Sequence, residues 1–353
     1  MAATATRLAT SVRAGTVGAY VTGGDVDLVR QLRALVGRVT VTGKAGLRIL
    51  SRLDADRDLW GVDLDPGCYL DRGQDEDALF PIDWIGRQRD LGLSLIRSAG
   101  TYVPRDDGPA LRRAFGDALP DGTVRTVSLH AAWLRPEAVV PVLAEIRQCA
   151  NPLALVLAAP FDPLAGNGAI DALRSLLDAA SPSERRVELL RTDTTGVGFA
   201  AAGGAFGSIG VTTTGRHHGL PLGQQASEHF DERQGIPLVF VHDVLSWQRG
   251  PTLGALSPFG GAGLIGCDCQ PCDGQSLLRF DRVWPRTVPA DVRADARAHD
   301  VHAWLALSRD VLSADLPLSA WRAACNDAVR LAAQIASEYK VAIPVPQSVA
   351  GWL

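Results

Sequence analysis

The chain has 353 residues, 46% hydrophobic and 21% charged, with 36 glycines and 21 prolines; that apolar share is ordinary for a globular protein and excludes a disordered one. Lys+Arg number 35 against 39 Asp+Glu, a formal net charge of −4, which is not the basic balance of a protein that coats nucleic acid but leaves room for a local arginine-lined groove. No run of about 18 apolar residues offers a membrane span, and Met1 to Arg13 lack the apolar core of a secretory signal, so a cytoplasmic protein is expected.

Apolar runs of strand length alternate with segments of helical spacing. Strands are predicted at Gly18–Thr22, Arg38–Thr42, Leu59–Leu64, Leu93–Ser98, Thr126–His130, Leu153–Ala158, Val187–Arg191, Ser208–Thr213 and Leu238–His242. Between them, Asp25–Val36 places Val26, Val29, Leu32, Leu35 and Val36 on one helical face, and Ala110–Ala118, Pro136–Cys149 and Ala169–Ala179 follow the same rule. A continuous apolar strand such as Leu153–Ala158, flanked by amphipathic helices, belongs to a parallel sheet covered on both faces. With the first strand set aside in an extension over residues 1–37, eight βα units remain from Arg38 to about Arg249. That is the count of a closed (β/α)8 barrel of TIM type, expected over residues 38–250. A doubly wound open sheet is the alternative, but no Gly-x-Gly-x-x-Gly follows an early strand. After Gly250 come Gly/Pro-rich loops, a cysteine cluster and two helices, Asp291–Val311 and Leu318–Tyr339, a C-terminal subdomain over residues 251–353.

Of the six cysteines, Cys68, Cys149 and Cys325 are scattered, whereas Cys267, Cys269 and Cys272 fall within six residues. Three thiolates on one tight turn need a fourth donor to complete the tetrahedron preferred by Zn²⁺. His299 follows Cys272 after 26 residues and His302 lies one helical turn further on; either could return to the turn. A Cys₃His set leaves no open position, so one structural Zn²⁺ per chain is expected, held by Cys267, Cys269, Cys272 and His299.

Cys-x-Cys-x-x-Cys followed by His at this distance resembles the zinc signature of tRNA-guanine transglycosylases and their DNA-modifying 7-deazaguanine relatives, and His299-Asp-Val301 resembles that family's His-Asn-aliphatic ligand motif. The likeness is strong from Cys267 to Val301 and topological over the barrel. It implies a (β/α)8 barrel followed by a zinc subdomain, acting on tRNA or DNA and on a guanine or 7-deazaguanine-type base through a covalent aspartyl-sugar intermediate. Asp65-Pro-Gly67-Cys-Tyr69 resembles a variant of the family's general acid/base motif, and His242-Asp243-Val-Leu245-Ser-Trp-Gln-Arg249 matches the Asp-to-Arg spacing of its nucleophile motif. The resemblance therefore implies Asp65 as general acid/base and Asp243, on the eighth strand, as nucleophile. The chemistry suits two carboxyls: one traps an oxocarbenium-like C1′ and the other moves the proton of the base. Otherwise, Asp65 is a strand-ending turn residue and Asp243 a helix cap.

The stretch Ser128-Leu-His130-Ala-Ala-Trp133 lacks the family's base-reading aspartate, and Ala158-Ala-Pro-Phe-Asp162 has no glutamine. Asp162 is thus either a substitute base reader or the start of a turn that Pro163 continues. Thr212-Thr-Thr-Gly-Arg216-His217-His218-Gly219 joins hydroxyls to a fork-shaped donor, so Arg216, His217 and the more distant Arg249 are candidates for phosphate or substrate contact, with a plain loop as the alternative. His130 is a base or a satisfied buried histidine; Tyr69 and Trp247 are candidates for stacking a base. Two other classes stay open: a non-catalytic, zinc-stabilised subunit that binds nucleic acid beside a partner, and an unrelated barrel hydrolase with a metal in its mouth. A homodimer or a partner subunit is compatible with either class.

Overall fold

The structure is a computed structural model that describes residues 15–53, 59–70, 83–219, 236–257 and 267–353. The chain forms two compact units, Met1–Ala226 and Ser227–Leu353. In the first, nine strands are laid down in sequence: β1 Thr16–Val21, β2 Val39–Thr42, β3 Val62–Asp65, β4 Ile96–Arg97, β5 Thr101–Val103, β6 Thr123–His130, β7 Leu153–Ala158, β8 Val187–Thr192 and β9 Phe206–Gly210. All pairings among them are parallel, in the order β3-β2-β1-β9-β8-β7-β6-β4, with β5 also on β6. Because β4 and β5 share one side of β6, they act as a single interrupted stave, and eight staves with helices between them make a nearly closed barrel. Across the remaining seam, Cys68 N–H donates to the Ala99 carbonyl at 3.2 Å and Arg97 pairs with Asp63.

Residues in this barrel behave as a sheet buried on both faces requires. All six residues of β7 are buried, and helix Ala169–Ala180 covers its neighbourhood with Ile170, Leu173 and Leu176. Two predicted features are corrected by the pairing. The first strand is no extension: β1 is a central stave, joined to β2 on one side and to β9 on the other, from Thr16↔Phe206 to Tyr20↔Gly210. A closed barrel needs its first strand to meet its last, and Ala19, Tyr20 and Val21 are buried accordingly. Conversely, the strand read as the eighth stave lies outside the barrel. β10, Leu238–Val241, pairs antiparallel with β11, Ser246–Arg249. The tight turn His242–Val244 and a left-handed Leu245 at φ 49° reverse the chain between them.

Inside the barrel, inward positions on alternating residues carry charge. Arg38 donates to Asp63 at 2.7 Å and to Glu188 at 3.0 Å, and Arg97 donates to both acids, at 2.5 Å to Glu188. Burial by itself would raise both carboxyls, but Arg38 and Arg97 outweigh it and hold Asp63 and Glu188 below their ordinary range.

The second unit sets the β10–β11 hairpin beside helices Ala290–Leu312 and Pro317–Tyr339, around Val239, Val241, Leu253, Phe280 and Ile335. Among the described residues no helix is long and apolar enough to cross a membrane.

Candidate functional site

Among the described residues two features carry chemistry, one in each unit. In the second, the tight turn after Cys267 is closed by Cys272 N–H on the Cys269 carbonyl at 2.9 Å, with Asp273 and Gly274 in left-handed conformations. The long helix Ala290–Leu312 then delivers His299. Its Nδ1 lies 3.4 Å from the sulfurs of Cys267 and Cys269 and 3.2 Å from that of Cys272, and the four donor atoms all fall within 4.8 Å of one another. A tetrahedron with metal–sulfur bonds near 2.3 Å and metal–nitrogen bonds near 2.0–2.1 Å has a sulfur–nitrogen edge of roughly 3.6 Å, so the set fits a metal ion. His302, the alternative fourth donor, is not in the cluster.

Neighbouring residues support this cluster. His299 Nε2 sits 2.7 Å from the Phe240 carbonyl, which fixes the ring and turns Nδ1 towards the three sulfurs, where it could ligate a metal ion. The next residue, Asp300, accepts from Phe240 N–H at 2.6 Å and from Trp247 Nε1 at 2.8 Å, tying the ligand helix to the hairpin. Arg279 donates to the Cys272 sulfur at 3.1 Å while Asp295 holds it at 3.2 Å. Three sulfurs crowded on one nitrogen cannot ionise independently: hydrogen bonding from Cys269 and His299 draws the Cys267 thiol down to about 3, against its burial, and the same contact pushes Cys269 up. A cation resolves that conflict by taking all three as thiolates.

In the first unit, the carboxylate of Asp65 closes β3 at the C-terminal end of the barrel, where active sites of such barrels lie. It is fully buried, accepts from Tyr20 at 2.6 Å and from Tyr69, and is bound by Gly67 N–H at 3.1 Å. Burial first, then the adjacent Asp65 charge, raises both phenols, which therefore remain proton donors to the carboxylate. Arg191 stands next to this trio, with its guanidinium 5.6 Å from the Tyr20 ring centroid. His218 packs edge-on to Tyr69 at 5.1 Å, and burial and then Arg191 lower it to about 3, so its ring is neutral.

The other candidates divide between the units. His217 lies 3.6 Å from Asp193, and its carbonyl accepts from Arg191 at 3.3 Å. Arg216 is buried, with Nε on the Gly210 carbonyl at 3.3 Å. Asp162 accepts from Leu164 N–H at 2.9 Å, the geometry of a turn residue. His130 likewise accepts from Ala132 N–H at 3.0 Å and caps the turn after β6. Asp243 and Arg249 belong to the second unit, on the hairpin. The Asp243 side chain is 59% exposed and 3.0 Å from His242 Nδ1, and it lines a cavity of about 740 Å³ with Leu307, Arg330 and Gln334. Trp247 is committed to Asp300.

Sequence reasoning passed over Tyr20, Arg191, Asp193 and the Arg97–Glu188 pair. A signal was present: charged residues inside strands that must be buried, as in Val187-Glu-Leu-Leu-Arg191 and Val62-Asp-Leu-Asp65. Comparisons with models of protein families, with curated proteins and with solved structures returned no match to this chain.

Proposed function

We propose that the protein is a divergent transglycosylase of the tRNA-guanine transglycosylase type, a pentosyltransferase that exchanges a guanine or 7-deazaguanine-type base in tRNA or DNA. The observation that carries this reading is the closed Cys267/Cys269/Cys272/His299 cluster in a chain whose preceding unit is an eight-stave barrel. In it the cluster holds one Zn²⁺, and four protein donors leave no open coordination position, so the ion is structural. Asp65 is the reacting carboxyl that the barrel itself supplies. Tyr20 and Tyr69 orient it by donating to the same oxygen, and a carboxyl placed there can move a proton to and from the exchanging purine.

A second reading is favoured by one observation. The family resemblance puts the nucleophilic aspartate on the eighth barrel strand, yet the eighth stave is Phe206-Gly-Ser-Ile-Gly210, which has no carboxylate, and Asp243 lies in the other unit. A non-catalytic subunit that binds nucleic acid beside an active partner would have that composition. Denaturing gels separate the two. On such gels an enzyme leaves label from guanine in tRNA or DNA, and that label is lost in Asp65→Asn, whereas a pure binding subunit leaves none although it retains the polymer under native conditions.

A further inference from the structure

Arg191 adopts a left-handed backbone, φ 57°, inside a β-bulge between Leu189 and Thr192. Such a conformation is strained for a non-glycine residue and clusters at binding and active sites. Ser208 stitches the bulge: its hydroxyl accepts from Arg191 N–H at 3.1 Å, and its carbonyl accepts from the Thr192 hydroxyl at 2.9 Å. The result turns a side chain that strand alternation would send outward towards Tyr20 and Asp65. There Arg191 is 7% exposed. Its Nη2 donates to the Thr214 carbonyl at 2.6 Å and to that of His217; the Tyr69 oxygen lies beside the guanidinium, but Nε and Nη1 are buried with no well-aligned acceptor. His218, 3% exposed, also has its Nε2 buried without a partner. Buried guanidinium donors left unmet are costly, so an absent acceptor belongs here.

The charges nearby define that acceptor. Asp65 already balances Arg191, and Asp193 beside His217 adds a second negative charge. An anion would deepen that excess of negative charge; an uncharged oxygen accepts from the guanidinium without adding to it. A cavity of about 10 Å³ lined by Leu164, Leu190, Arg191, Asp193, Thr195 and His217 has the size of one oxygen-sized group, and the His217 side chain beside it is 32% exposed.

We propose that Arg191 is a specificity-determining residue: with His218 it receives the carbonyl oxygen of a lactam-type base, as at O6 of guanine or hypoxanthine, and rejects the amino group that adenine carries in that place. A guanidinium has donors and no acceptor, so facing an amino group leaves both sides unpaired. The inference rests on the base-binding reading above and names the feature of the base that is read.

Equilibrium binding of labelled guanine, hypoxanthine and adenine to the full chain tests it. The wild type is expected to bind guanine and hypoxanthine alike and adenine at least about tenfold more weakly, the value of one hydrogen bond to a charged group. Arg191→Gln, which offers an acceptor as well as donors, should bring adenine and hypoxanthine within about threefold, while Arg191→Lys keeps the preference at lower affinity. Equal wild-type affinity for adenine and hypoxanthine, absence of any purine binding, or undiminished discrimination in a folded Arg191→Gln protein would overturn the proposal. If that variant does not fold, the wild-type ratio decides, together with the loss of hypoxanthine affinity expected in His218→Gln. Discrimination without base exchange would leave this inference standing and refute the exchange reading; exchange indifferent to O6 would do the reverse.

Discussion

Single residues carry most of the electrostatic risk in the barrel. Removing one member of the Arg38–Asp63–Arg97–Glu188 cluster leaves buried charge without compensation, and Arg97 is the one that is completely enclosed. Arg97→Met should therefore cost about 3–5 kcal/mol, read as a lower urea midpoint; a change below 1 kcal/mol would show that the cluster is not closed as described. His218 works in the opposite sense. Its folded value of about 3 lies below the ordinary 6.5, because burial among Tyr69, Tyr102 and Arg191 disfavours its charged form. As pH falls below about 6.5, the unfolded chain takes up a proton that the folded chain refuses, and stability declines by up to about 1.4 kcal/mol per pH unit until about pH 3. Between pH 7 and pH 5 the wild type should lose about 2 kcal/mol more than His218→Gln. In that window Asp63 and Glu188, whose values are lowered, stay ionised in the folded protein.

At the scale of elements, periodicity was a faithful guide and partnership was not. Each predicted strand and each predicted helix corresponds to one in the structure, because apolar runs such as Leu153–Ala158 and the stripe of Asp25–Val36 are local properties. What local pattern does not encode is which strand another one pairs with. Thr16–Val21 and Leu238–Val241 are both short apolar segments, yet the first is a central stave and the second half of a hairpin, a distinction fixed by the left-handed Leu245 and by the register with Phe206–Gly210. The short β5, Thr101–Val103, escaped notice because three residues carry no period. The cysteine cluster was legible because metal ligation fixes residue type and spacing together, whereas the Tyr20–Asp65–Tyr69–Arg191 group is assembled from three staves far apart in sequence. The ligand helix and the hairpin are joined through His299 and Asp300, so the metal should be part of the folding of these elements. Cys272→Ser is expected to abolish stoichiometric zinc and to lower the melting temperature, and chelation of the wild type should do the same. A variant that keeps one zinc per chain would contradict the assigned ligand set.

For the molecule as a whole, a barrel with a charged interior presents the buried Asp65 carboxylate at its C-terminal end, and a second unit carries the Cys₃His knuckle on its own core. Neither unit by itself states a reaction; the exchange reading joins them through their order in the chain and the chemistry a purine–sugar bond demands. It makes Asp65 indispensable while leaving the knuckle a structural element, so loss of chemistry and loss of fold should be separable by mutation. The most direct test is transfer of labelled guanine into tRNA and into DNA by the purified zinc-bound chain, with Asp65→Asn of equal zinc content in parallel. The account predicts label in one polymer with the wild type and none with the variant; label in neither, or equal incorporation by both proteins, would contradict it.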